Sequence, residues 1–231
     1  DDQAPAAAKF LKEQLKAKTI FIVDDKTTYS QGLADGVSKA AKALGMEVVE
    51  HDHVNQGDKD FAAVLTKAKQ ANADILYMSL QGYSPGALMA LQAKRLGMKS
   101  QIVTQDAMFQ PKFMEVAKEA AEGVYLTYGF TDTTTPEYKA FEKIYVPKYG
   151  AIAAYATYAY DAATVLLQAI KTAGSTDPAK IKAEIMKMDF DGVAKRIKFR
   201  ENGDSGSSYI AYKIENGQFV PYWAPEKGLL K

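Results

Sequence analysis

The chain has 231 residues, of which 47% are apolar and 25% charged, and its formal net charge is +1. That composition belongs to an ordinary globular protein of one large or two modest domains, and the near-zero charge excludes a strong field for nucleic acid or an anionic membrane. No apolar run approaches the ~20 residues that span a bilayer, and the absence of cysteine excludes disulfides, thiolate nucleophiles and cysteine-ligated zinc. No signal peptide is visible, as in any mature chain.

Taken in order, Gln3 to Leu15 reads as a helix, with Pro5 in its first turn and the good helix formers Ala6 to Leu11 after it. Thr19 to Val23 is short, apolar and branched, and it lacks polar alternation, which predicts a strand covered on both faces. Asp24 to Thr28 supply turn formers and caps. From Tyr29 the apolar spacing becomes helical through Leu33, Val37, Ala41 and Leu44, and Gly45 stops it. Met46 to Glu50 is the second strand and Asp58 to Ala71 the second crossover helix. Strands at Asp74 to Ser79, Ser100 to Thr104 and Gly123 to Tyr128 alternate with helices at Pro85 to Leu96 and Pro111 to Ala121. Five strands alternating with helices at about 25-residue spacing predict a parallel, doubly wound sheet. The expected strand order is the flavodoxin-like 2-1-3-4-5.

From Pro136 to Met188 the pattern is helical only, over about 136–148, 153–173 and 178–187. Short β segments follow at Val193 to Phe199, Tyr209 to Ile214 and Gln218 to Pro221, the last two joined by the hairpin signal Asn216-Gly217. The expected division is an α/β lobe over 1–128 and 192–222, with a helical segment over 129–191.

No catalytic constellation is present. His51 and His53 form an H-x-H beside Asp52, a spacing that a metal uses, but the solvated-loop reading is preferred and no metal ligand is assigned. Both histidines lie together, so no serine triad is available. There is no G-x-G-x-x-G and no Walker motif, and no cofactor is expected. The run Ile22-Val23-Asp24-Asp25-Lys26 is similar to the acidic strand end of response-regulator receiver domains. Those domains also need an aspartate after the third strand and a lysine after the fifth. Here Ser79-Leu80-Gln81 and Tyr128-Gly129-Phe130 stand there, so Asp24 and Asp25 read as loop and cap residues.

What remains is a rim of loops at the carboxyl ends of the strands, where open α/β sheets bind ligands. Tyr29 follows the first strand, Gln81 and Tyr83 the third, Gln105 and Asp106 the fourth. Phenols, amides and one carboxylate on a single edge suit a small zwitterion, with Asp106 pairing an ammonium. The alternative is an exposed polar rim on a flavodoxin-like interaction or sensory domain, natural or engineered, that self-associates and binds no amino acid.

Several segments, in this order, carry a resemblance: DDQAPAAAKFL, IVDDKTTYSQGLADGV, GDKDFAAVLTKAK, ADILYMSLQGYSPGALMALQAKRLGMKSQ, EAAEGVYLTYGF, AAYATYAYDAATVLLQAIKTAG and IKFRENGDSGSSYIAYKIENGQFV. Together they resemble the branched-chain amino-acid (Leu/Ile/Val-type) binding proteins of ABC importers, which have the type I periplasmic binding fold. The resemblance implies two lobes that close on an amino acid, a periplasmic location, the importer's membrane subunits as partners and no enzymatic activity. It implies that Tyr29 and Tyr83 are aromatic ligand contacts and that Asp106 receives the ligand's ammonium. Leucine-type binders carry Glu at that place; the shorter Asp implies a ligand whose amine reaches further, or a different amino acid or amide. Family members also begin with a hundred or more residues that build the first lobe, which this chain is expected to lack through truncation, proteolysis or engineering. Tyr155, Tyr158, Val165, Leu166 and Ile170 then form an apolar stripe expected to pack on the other lobe or on a second, domain-swapped copy.

Overall fold

In the computed structural model of the chain, which describes residues 2–230, α1 (Gln3–Glu13) precedes strand β1 (Thr19–Asp24). Ile20 through Val23 are 0% exposed, so both faces of β1 are covered and no polar alternation is tolerated. α2 (Thr28–Ala43), β2 (Glu47–His53), α3 (Ala62–Ala71), β3 (Ile75–Ser79), α4 (Tyr83–Arg95), β4 (Gln101–Thr104), α5 (Pro111–Ala117) and β5 (Tyr125–Gly129) follow. The five strands are parallel and ordered 2-1-3-4-5, as the spacing predicts. β2 runs three residues further than expected, so His51 and His53 lie in a strand and not in a loop. The helix expected to reach Ala121 breaks at Lys118, whose φ of 52° is incompatible with a continued α-helix.

Right-handed crossovers dictate the layers. The step from β1 to β2 goes one way along the sheet and later steps go the other, so α2 lies opposite α3, α4 and α5. α1 joins α2: Phe10 and Leu11 share one core with Leu33, Val37, Ile20, Ile22 and Tyr77. Phe10 also meets Tyr125 and Trp223, with ring centroids 5.2 and 5.6 Å away. α1 and α2 approach so closely that a Cβ on Gly36 would stand 2.8 Å from Ala4 Cβ.

The described residues form two compact units, one through Gly129 and from Tyr209 onward, the other Phe130–Ser208. The second contains α6 (Pro136–Tyr149), α7 (Ala156–Ala173), α8 (Pro178–Ile185) and the antiparallel pair β6 (Asp189–Asp191) and β7 (Arg196–Lys198). Its internal tie is Asp161, 4% exposed, which accepts the Val193 and Ala194 amides at 2.7 and 2.8 Å. That contact keeps the 192–208 stretch with the helices, and the first unit resumes at Tyr209. There β8 (Tyr209–Glu215), β9 (Gln218–Ala224) and β10 (Gly228–Leu229) add antiparallel strands beyond β5 and complete an eight-stranded sheet. Within the second unit Val165 is buried, Tyr158 and Ile170 are half-buried, and Tyr155, Leu166 and Leu167 are exposed.

Replacing Gly36 in the middle of α2 by alanine gains up to about 1 kcal/mol of helix propensity. Forcing a methyl against the Ala4 methyl costs about 1–3 kcal/mol, because neither group has a rotamer to escape through. Gly36→Ala is therefore expected to lower the melting temperature; a rise, read by circular dichroism, would show that α1 is free to move aside.

Candidate functional site

Three loops meet at the carboxyl ends of β1, β3 and β4, and their spacing is set by two buried side chains. Asp25, 3% exposed, accepts the Thr27 hydroxyl at 2.7 Å and the Thr27 amide at 3.2 Å through Oδ1. Its Oδ2 accepts the Gln81 amide at 2.6 Å, so one carboxylate ties the β1 loop to the β3 loop. Thr27 in turn caps α2 by accepting the Ser30 amide at 3.3 Å, which places Tyr29 in the first turn. Gln105, 0% exposed, does the same for the β4 loop: its Nε2 donates to Leu80 O at 2.6 Å and its Oε1 accepts the Ala107 amide at 2.6 Å.

On this frame Tyr29 and Asp106 meet. The Tyr29 hydroxyl, on a side chain 39% exposed, donates to Asp106 Oδ1 and lies 3.3 Å from Gln105 Oε1. Gln3 completes the group from the start of α1. Its Nε2 donates to Asp106 Oδ1 at 2.9 Å and reaches Thr127 Oγ1 at 3.3 Å. An acidic oxygen with phenol and amide donors around it is chemically an ammonium acceptor whose geometry is set in advance. Tyr77 lies buried in the same core as α1, and its hydroxyl has no hydrogen-bond partner among the described residues. Burial, reinforced by the charge of Asp106, drives its pKa well up, so the phenol stays neutral.

The residues singled out from the sequence thus fall into three groups. Tyr29, Gln105 and Asp106 are brought together. Gln81 is exposed and enters only through its backbone amide. Tyr83 opens α4 on the same edge, half-buried, and makes no hydrogen bond to the Tyr29–Asp106 group. Sequence reasoning missed Gln3, which is 103 positions from Asp106 and carries no local motif, and Asp25 as the tie between loops. A second group of side chains, Asp24 with His51 and His53, gathers at the ends of β1 and β2.

A sequence profile described as periplasmic binding protein matches residues 1–218, and the chain belongs to that family. A Leu/Ile/Val-binding protein homolog of Brucella melitensis biotype 1 is 34% identical over 220 residues, which cover 94% of this chain and 59% of that protein. A crystal structure of a leucine-binding protein, LivK, of Thermotoga maritima matches with a TM-score of 0.88 at 34% identity, over 95% of this chain and 64% of that one. The branched-chain amino-acid transporter substrate-binding protein LivJ of Streptococcus pneumoniae, in complex with isoleucine, matches with a TM-score of 0.79 at 27% identity, over 94% of this chain and 62% of that one. The fold is that of the type I periplasmic binding proteins, and the chain spans less than two thirds of the length of each of these relatives.

The Asp25 geometry has a consequence for acid stability. Burial pushes its pKa up, but hydrogen bonds from the Gln81 amide, from Thr27 and from Ser30 outweigh it, and the carboxyl titrates below its ordinary value. A folded pKa below the unfolded ~3.9 contributes stability that is whole above about pH 4 and is lost as pH falls through the folded value. Asp25→Asn is expected to lower the melting temperature at pH 7 and to flatten the decline below pH 4. Parallel melting curves for variant and parent across that range would remove Asp25 as the tie.

Proposed function

We propose that the chain is the ligand-binding part of a non-enzymatic solute-binding protein that delivers a small amino acid or related zwitterion to the membrane subunits of an ABC importer in the periplasm. The observation that carries this reading is the Asp106 carboxylate, held by Tyr29 and Gln3 at the carboxyl edge of the sheet, in a chain of this family. Asp106 receives the ammonium, Tyr29 supplies an aromatic wall and a hydroxyl, and Tyr83 is a second wall. Gln105 and Gln81 act through the loops that they hold. Two-lobe closure would bring the carboxylate-binding half against this face. The names of the relatives support an amino acid as ligand, and the absence of a long apolar helix among the described residues accords with a protein outside the bilayer.

Calorimetric titration with leucine, isoleucine, valine, threonine and alanine tests the reading. The 231-residue chain alone is expected to bind none of them tightly. In a two-lobe protein carrying this chain, Asp106→Ala is expected to weaken binding at least about 30-fold, the lower end of the loss when one partner of a buried charge pair is removed. Unchanged affinity would refute the ammonium role.

A second reading is favoured by one observation. Leu166 and Leu167 of α7 are 47% and 66% exposed, apolar surface of the kind that associating proteins cover. A second copy covering it by domain swapping would make this an interaction module that needs no amino acid. Light scattering behind a sizing column separates the two: a stable dimer that dissociates in Leu167→Glu supports self-association, and a monomer at all concentrations removes it.

A further inference from the structure

We propose that Asp24, His51 and His53 form a binding site for one divalent first-row cation of the zinc type. The three side chains come from adjacent parallel strands. Asp24 ends β1 and pairs in register with His53 of β2, while Ile22 pairs with His51. Two residues apart on one strand, the imidazoles share a face. Asp24 Oδ2 lies 2.6 Å from His51 Nε2 and 2.8 Å from His53 Nδ1, and all three donor atoms fall within 4.8 Å of one another. This is three ligands on one side of a potential tetrahedron, with the fourth side left for water.

Burial and the surrounding contacts support the assignment. The Asp24 side chain is 0% exposed, His51 19% and His53 37%, so the cluster runs from a buried carboxylate to a ring at the surface. Asp24 Oδ1 accepts the Lys26 amide at 2.8 Å, which turns Oδ2 toward the rings. Among the described residues no lysine or arginine pairs with this buried carboxylate, and only the two imidazoles reach Oδ2. A bound cation would balance the buried charge, which is otherwise costly. His51 Nδ1 faces Asp35 Oδ1 at 3.7 Å. A bound cation would take the place of the proton that His51 Nε2 and His53 Nδ1 otherwise share with Asp24 Oδ2. A carboxylate behind a ligating histidine is the usual means of orienting the ring.

The donor set names the metal class. Two imidazole nitrogens and one carboxylate oxygen suit zinc, cobalt, nickel or copper better than calcium or magnesium, which prefer all-oxygen shells. These are the chain's two histidines and it has no cysteine, so metal binding through imidazole or thiolate has no second source in its side chains. The inference is independent of amino-acid binding, since neither histidine belongs to the Tyr29–Asp106 group.

The test uses tag-free protein stripped by a chelator and titrated with zinc chloride against a chromophoric zinc indicator, with imidazole NMR signals followed in parallel. The expected result is one zinc per chain, with both histidine spectra shifting together and magnesium leaving them unmoved. His51→Ala and His53→Ala should each weaken zinc at least about 100-fold, and Asp35→Asn about 10-fold, the scale of an orienting partner. His53→Gln keeps the ring's bulk in part and replaces the alanine variant if that one melts early. Absence of stoichiometric zinc binding by the parent chain would overturn the proposal, as would zinc binding that survives loss of both histidines.

Discussion

Burial of β1 on both faces is the constraint from which the other features follow. A strand of six residues with five fully buried has to be flanked by strands on both sides and by helices above and below. The neighbours it takes, β2 on one side and β3 on the other, make its carboxyl end the place where the chain direction reverses across the sheet. Helices leave that end in opposite directions, and the gap between them cannot be filled by backbone. Tyr29 stands there because β1 ends at Asp24 and the Thr27 cap fixes where α2 begins.

Polar groups at this edge then divide the work. Asp25 and Gln105 are buried, hydrogen-bond the backbone of neighbouring loops and set the distance between them. Tyr29 and Asp106 remain nearer the surface, where the proposed ligand would meet them. Such a division has an energetic reason: a side chain that spends its hydrogen bonds on neighbouring backbone holds its loop still, and a still loop presents its ligand groups without an ordering cost at binding. The same principle operates in the second unit, where Asp161 holds two consecutive amides and thereby decides to which unit the stretch before Tyr209 belongs.

Much of the fold was legible. Branched apolar runs gave the strands, a change to helical spacing gave the helices, and their alternation gave a parallel doubly wound sheet. Errors fell where local pattern competes with tertiary contact. The H-x-H looked like a loop because His51, Asp52 and His53 are polar; it is a strand because β2 is the edge of the sheet and one side of it meets solvent. The Val193–Ala194 amides are claimed by an aspartate more than thirty residues upstream, a contact that no local pattern announces.

By itself the sequence determined the element order, the position of Tyr29 and Asp106 on strand-end loops, and the family, since each depends on residues that are neighbours in the chain. Only the tertiary structure decided which side chains share a site. Gln3 reaches Asp106 because α1 packs on α2 at the glycine-close distance of Gly36, a contact that no local period encodes. The register of β2 on β1 shifts by one residue between Ile20 and Phe21. Without that irregularity Asp24 would lie opposite Asp52 and both histidines would turn to the other face; with it, two imidazoles meet a buried carboxylate. Strand register is settled by packing of the whole sheet, where a slip of one residue inverts every side chain, and that information is not present in either strand alone.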